Sequence, residues 1–404
     1  MDRMSGQPEF AVELMMKRRS FLQQSAALAS LSFAGFPSAW GQGQAGKPRL
    51  LVVLLRGGMD GLTAVPPVGD AHYNTIRPQI AVQNTLRLTA DFGLHPKLEA
   101  MHSMWQAGQL AVVHSTGIQY TGRSHFEGQD IMQTGVMKPY ASSSGWIGRA
   151  MEQAKVDSGV AISIPMPLIL RGHDKASTQF PNWMPMLRDK DVATISDLWA
   201  HDPALKVYSD VIREANLENR MGGMAREAFQ DARSMRGLAR TAAASMRLES
   251  GPQVGLIDMT HGFDTHASQG AEQGSHADRL RDLDQLMATF RSEMGTKWAD
   301  TLVVTVTEFG RTAAENGTNG TDHGVGTCCF LAGGLVTQAK VYAEWRGLEK
   351  ASLFEERDLP TTIDVSAVYA KVLERVFGLS AKTLVSSGVL EHKTSSALNG
   401  LLGV

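Results

Sequence analysis

Five residues spread along the chain are of the types that hold a divalent metal. Asp60, Asp264, His266, Glu308 and His323 offer carboxylate oxygen and imidazole nitrogen, a coherent ligand set for zinc, manganese, magnesium or calcium. Each also has an ordinary structural reading. Asp60, within Gly57-Gly58-Met59-Asp60-Gly61, suits a turn; Asp264 suits an Asx-turn and His266 an exposed histidine. Glu308 suits an ion pair with Arg311, and Asp322-His323 the cap of a following element. Ser124 adds a hydroxyl. Ser124-His125-Phe126-Glu127 has the Ser-x-x-Glu form of a capping box for a helix starting at His125. A hydroxyl at a helix N-terminus also sits in positive potential, and a nearby metal would lower its pKa and make it a nucleophile. The two roles are compatible.

These residues act together only if the fold gathers them. Four apolar runs each lead into a Gly-containing polar loop, and each reads as a strand: 49–55 before Asp60, 110–114 before Ser124, 254–259 before Asp264 and His266, and 302–306 before Glu308. Between them lie helical patterns such as Leu280, Leu283, Leu286, Met287 and Phe290, which share one helix face. Strands alternating with helices predict a mostly parallel sheet. Ligands then bind beyond the carboxyl ends of the strands, where the candidate residues are delivered. Residues 191–247 are helix-rich and polar, with Leu205, Tyr208, Val211 and Ile212 on one face, and read as a helical insertion or cap. Residues 363–377 read as a closing helix in the core.

In composition, 39 Lys and Arg nearly cancel 41 Asp and Glu among 404 residues. That balance points away from nucleic acid and from an anionic membrane surface. The only cysteines, Cys328 and Cys329, are adjacent in a strand-like run and should point to opposite faces rather than pair.

The N-terminal part carries an address. Lys17-Arg18-Arg19-Ser20-Phe21-Leu22-Gln23 has the paired arginine and Phe-Leu of the twin-arginine export signal. It is followed by a small, mildly apolar run at 26–36 and by Pro37-Ser38-Ala39, which suits the start of a cleavage site. Residues 1–45 are therefore read as extension and signal, and 46–404 as the folded domain. The expected setting is the periplasm or cell surface, the expected export partner is the twin-arginine translocase, and no stable membrane span is expected in the mature form.

An ordered set of motifs carries a resemblance. Gly-Gly-Met-Asp-Gly-Leu at 57–62, Arg-Ser-His-Phe at 123–126, Gly-Trp-Ile-Gly-Arg at 145–149, Phe-Asp-Thr-His at 263–266, Thr-Glu-Phe-Gly-Arg at 307–311 and Gly-Thr-Asp-His-Gly at 320–324 resemble an exported bacterial family, the domain of unknown function numbered fifteen-oh-one. That family is similar to the alkaline phosphatase and sulfatase superfamily. The resemblance implies an α/β fold, a doubly wound, mostly parallel sheet of alkaline phosphatase-like type, with a metal-activated nucleophile. It matches Asp60 to the first-strand metal ligand and Ser124 to the nucleophile. Asp264 and His266 match the middle-strand ligands, Glu308 the late-strand carboxylate and His323 the final histidine. The implied substrate is a small anionic phosphate or sulfate ester, with Arg123 or Arg311 clamping its oxygens. The chain departs from the superfamily at Glu308-Phe309, where phosphatases carry Asp-His, and in the close spacing of Asp264 and His266. One histidine ligand is thus missing, which leaves open a single metal, a different metal, or recruitment of His125 or His261. A non-catalytic exported binding or assembly protein on the same scaffold is the competing expectation.

Overall fold

The run Arg49-Leu-Leu-Val-Val-Leu-Leu55 has no polar residue after its first, and all seven positions of this strand, β1 (Arg49–Leu55), are buried. Such a run belongs to a strand covered on both faces. The computed structural model describes residues 46–163, 165–179, 189–199, 231–260, 262–391 and 393–404. The twin-arginine segment, His261 and the Leu205–Ile212 apolar face lie outside the described residues.

The remaining strands of the main sheet are β2 (Leu110–Gly117), β3 (Gly159–Ile162), β4 (Ala176–Thr178), β5 (Val254–Met259), β6 (Thr301–Val306), β7 (Thr327–Ala332), β8 (Val341–Tyr342) and β9 (Ile363–Asp364). They run in the order β8-β2-β7-β6-β1-β5-β3-β4, with β9 also pairing with β2, which makes this a nine-stranded sheet. β1 lies parallel between β5 and β6, and β3 is parallel to both β4 and β5. β7 alone is antiparallel, to β2 and β6. The expected doubly wound, mostly parallel sheet is therefore present.

Alternation along β1 builds the two layers. Leu50, Val52 and Leu54 join one buried cluster, with Trp146, Val368 and Leu373. Leu51, Val53 and Leu55 join the other, with Leu238, Leu280, Leu283 and Phe290. Helices α4 (Trp146–Gln153) and α7 (Val365–Phe377) thus cover the first face. The second face is covered by α2 (Glu99–Gln106), α5 (Met235–Met246) and α6 (Ser275–Met294). Cys328 and Cys329 fall in opposite clusters and are both free, as the pleat requires.

Two sequence expectations are modified. Residues 363–377 are not helical throughout: Ile363–Asp364 pairs with β2, and Asp364 then caps α7 by accepting from Ser366 N–H. The segment read as an insertion ends in α5, whose Leu238, Ala239, Ala242, Ala243 and Met246 belong to the core beneath the sheet. Alanines at that spacing let α5 pack closely on α6, which a solvent-facing cap would not need.

Candidate metal centre

Five loops at the carboxyl edge supply the site. β1 ends in Arg56-Gly57-Gly58, and short helix α1 (Gly61–Ala64) follows Asp60. β2 leads to Arg123, Ser124 and α3 (His125–Thr134). β5 leads to Asp264 and His266, β6 to Glu308, and the loop before β7 carries Asp322 and His323. Gly57 is required where it stands: its φ is +113°, and a Cβ there would come within 2.7 Å of Asp264 N. Its N–H donates to Glu308 Oε1 at 2.9 Å.

Three imidazoles and one carboxylate converge. His323 Nε2 lies 3.0 Å from His125 Nε2, 3.1 Å from His266 Nε2 and 3.0 Å from Asp264 Oδ1. His266 Nε2 is 2.9 Å from Asp264 Oδ1, and His125 Nε2 is 3.4 Å from Asp264 Oδ2. His125, Asp264 and His323 form a group whose ligand atoms are all within reach of one ion, and His266 abuts two of its members.

The opposite side of each ring fixes its tautomer. His125 Nδ1 meets Glu308 Oε1 at 2.8 Å, His266 Nδ1 meets Asp322 Oδ1 at 2.9 Å, and His323 Nδ1 meets the Arg123 carbonyl at 2.9 Å. All three partners are acceptors, so each Nδ1 carries the proton and each Nε2 presents a lone pair inward. An outer acceptor behind each ring is the support that metal-binding histidines have. The donor set therefore fits a divalent ion.

The acids and bases of the site are tuned by these contacts. The Glu308 hydrogen bond raises the His125 pKa above 6.5, outweighing burial. Burial would raise Glu308, but hydrogen bonds from His125, Gln129 and the Gly57 N–H hold it below its ordinary value. Asp264 is likewise opposed by burial and held low by Arg311, whose Nη1 donates to Oδ1 at 2.6 Å. His323 is lowered, first by burial and then by the neighbouring His125 and Arg311 charges. Phe309 packs its ring 4.7 Å from that of His125 and 5.1 Å from that of His323.

The expected residues divide into three groups. Asp264, His266 and His323 come together as ligand-type atoms, and His125, read only as one way of filling a gap, joins them. Glu308 stands behind His125 rather than among the inward-facing atoms. Asp60 is elsewhere: its carboxylate is buried against Arg77, with Nη1 at 2.6 Å and Nη2 at 3.1 Å, and also accepts from Thr63 Oγ1 and Gln269 Nε2. It caps α1 through Leu62 and Thr63 N–H. A buried carboxylate so fully engaged is a counter-ion to Arg77, and the position expected for a first-strand ligand is filled instead by this pair.

The two arginines expected to clamp an anion are committed to positioning. Arg123 donates to Asp358 at 2.7 and 2.9 Å and to Glu355 at 2.5 Å, while its carbonyl holds His323. Arg311 is buried and bonds Asp264, Thr321 and the Gly57 carbonyl. The capping box at Ser124 does not form. Ser124 has the extended backbone of an N-cap but makes no side-chain cap bond, and Glu127 accepts from the Tyr120 hydroxyl at 2.5 Å. The Tyr120 hydroxyl also accepts the Ser124 N–H, at 3.4 Å, the bond that Glu127 would take in the box. Sequence reasoning missed Gln129 and Asp322 as supports. Gln129 lies four residues after His125, on the same helix face, which is the signal that finds it.

Fold and site together define a doubly wound α/β protein with a three-histidine, one-aspartate centre at the carboxyl edge of its sheet. The chain belongs to the family described as Protein of unknown function (DUF1501), whose model matches residues 47–387. No curated protein matches it. Among solved structures it is similar to the C-terminal periplasmic domain of EcEptC from Escherichia coli in complex with Zn, at 12% identity over 74% of this chain and 76% of that one, TM-score 0.32. It is also similar to the PsFucS1 sulfatase from Pseudoalteromonas sp., at 12% identity over 83% and 68%, TM-score 0.38. A third similar chain is a protein in the alkaline phosphatase superfamily from Vibrio parahaemolyticus, at 12% identity over 72% and 61%, TM-score 0.32. At these values the likeness assigns no residue and no activity to this chain. No helix among the described residues is long and apolar enough to cross a membrane.

Proposed function

We propose that this chain is an exported metal-dependent hydrolase of phosphate or sulfate esters with Ser124 as nucleophile. The observation that carries the reading is the convergence of three Nε2 atoms on Asp264, each ring held from behind by an acceptor. Three imidazoles with one carboxylate favour zinc over the harder magnesium and calcium, which prefer all-oxygen sites. His125, His266, His323 and Asp264 would hold it. A bound divalent ion supplies Lewis-acid polarisation of an ester oxygen and lowers the pKa of a neighbouring hydroxyl.

The chain's own residues do the rest. Ser124 precedes His125 directly, and its hydroxyl is not spent on capping α3. The free N–H groups of the first turn of α3 favour an anionic group beside it. Arg311 and Glu308 act through other residues, the first fixing Asp264 and the second His125. Ser124→Ala should abolish turnover of an ester panel by about 10⁴-fold or more while leaving bound metal in place. Full activity in that variant removes Ser124 as nucleophile.

The competing reading, a non-catalytic exported binding or assembly protein, draws on Asp60. Its commitment to Arg77 takes one carboxylate out of the ligand set expected for a two-metal hydrolase. A metal-loaded protein that cleaves no phosphate or sulfate ester would favour it. Export by the twin-arginine translocase rests on Arg18 and Arg19. Replacing both with Lys should leave the precursor in the cytoplasm.

A further inference from the structure

Beside the metal centre, at the same carboxyl edge, lies a cavity of about 860 Å³. It opens over β1, β5 and β3, adjacent strands of the sheet, and Arg56, Asp258, Thr260 and Ser163 reach its wall from their ends. Gln129 and Gln133 reach it from α3, the helix that begins with His125. One wall is therefore continuous with the support of the metal site. Gln129 Nε2 donates to Glu308 Oε1 at 2.9 Å while its Oε1 accepts from Arg56 Nη1 at 2.5 Å.

Two features of that wall are unfinished. Gln133 is 6% exposed, and its Nε2 donates to the Gln129 carbonyl at 3.1 Å. Its Oε1 has no hydrogen-bond partner among the described residues. A buried amide oxygen left unmatched is costly, and one in a native structure calls for a partner from outside the fold. Arg56 uses Nε and Nη2 on Asp258 at 2.8–3.0 Å and one Nη1 proton on Gln129. Of its five N–H bonds, these engage three, leaving one on each terminal nitrogen. Met166, Leu168 and Leu238 add apolar surface. A neutral acceptor, a guanidinium with two uncommitted N–H bonds and apolar lining together match a hydroxylated organic anion.

We propose that this cavity is the subsite for the organic part of the substrate, and that it selects a hydroxyl-bearing ester by donation to Gln133 Oε1. The inference deepens the hydrolase reading, on which it rests for the word substrate, but its test does not depend on turnover. The probes are glycerol 1-phosphate and propyl phosphate, which share a three-carbon chain and differ in hydroxyls, with inorganic phosphate as reference. Their affinities are measured by calorimetry on the zinc-loaded full chain carrying Ser124→Ala, so that no ester is consumed. Glycerol 1-phosphate should bind about tenfold more tightly than propyl phosphate, the value of one hydrogen bond to a buried acceptor. Gln133→Leu should abolish that preference and leave phosphate binding unchanged. Its melting temperature should change little, because the unmatched Oε1 and the Nε2 bond to the Gln129 carbonyl are lost together. Equal affinities for the two esters, or a preference that survives Gln133→Leu, overturns the proposal. A preference that is present, in a protein whose Ser124-containing form cleaves no ester, supports the subsite and counts against the hydrolase reading alone.

Discussion

A carboxylate behind an imidazole both orients the ring and raises its basicity. Glu308 does this for His125, and the consequence is measurable. Glu308→Gln keeps the shape but leaves an amide that can present N–H to Nδ1, so zinc affinity should fall about 10- to 100-fold, as read by competition with a chelator. Unchanged affinity would mean that Glu308 does not support the ligand. The pH dependence has opposite signs with and without metal. In the metal-free chain the raised His125 pKa means that its charged pairing with Glu308 stabilises the fold below the unfolded histidine pKa of about 6.5. That contribution is lost as pH rises through the folded value. Metal binding needs the unprotonated Nε2, so loading should be lost as pH falls. The melting-temperature gap between loaded and metal-free protein should therefore narrow from about pH 8 to about pH 5. A gap that stays constant would contradict the histidine ligands.

At the scale of elements, Asp60 and Arg77 fasten α1 to the loop at Thr312-Ala313. Arg77 Nε donates to the Ala313 carbonyl at 2.7 Å and Nη2 to that of Thr312 at 2.8 Å. Burial alone would raise the Asp60 pKa, but Arg77 outweighs it and holds the carboxyl far below its ordinary range. Its contribution is present above the unfolded aspartate pKa and is lost only as pH falls toward the folded value. Arg77→Met leaves that charge buried without a partner and should cost about 3–5 kcal/mol, measured by denaturant unfolding. A loss below 1 kcal/mol, the scale of an exposed pair, would contradict a buried counter-ion. This pair explains what the sequence reading could not see. Asp60 follows a strand in a glycine-rich loop, just as a ligand would, and nothing in the local pattern announces an arginine 17 positions later that folds back onto it. Asp264 and Glu308 were legible because each follows an apolar run to one sheet edge, and His323 because it stands in the Gly-Thr-Asp-His-Gly motif at 320–324. His125 was obscured by the Ser-x-x-Glu pattern around it, which pointed to a cap until Tyr120 took Glu127.

Across the whole molecule, the alternation of apolar runs with amphipathic helices was enough to specify the doubly wound sheet, because burial on both faces leaves few other arrangements for such strands. The boundary of the helical segment before β5 was less legible: alanine-rich α5 looks weakly apolar in sequence, yet Ala239, Ala242 and Ala243 are buried at its contact with the core. In the proposed reading, the fold gathers His125, His266, His323 and Asp264 around one divalent ion. Elemental analysis of the full-length protein purified after native export tests it most directly, with His323→Ala and Asp264→Ala beside the wild type. About one zinc ion per wild-type chain is expected, with little in either variant. A wild type without bound metal, or variants that retain as much as the wild type, would contradict it.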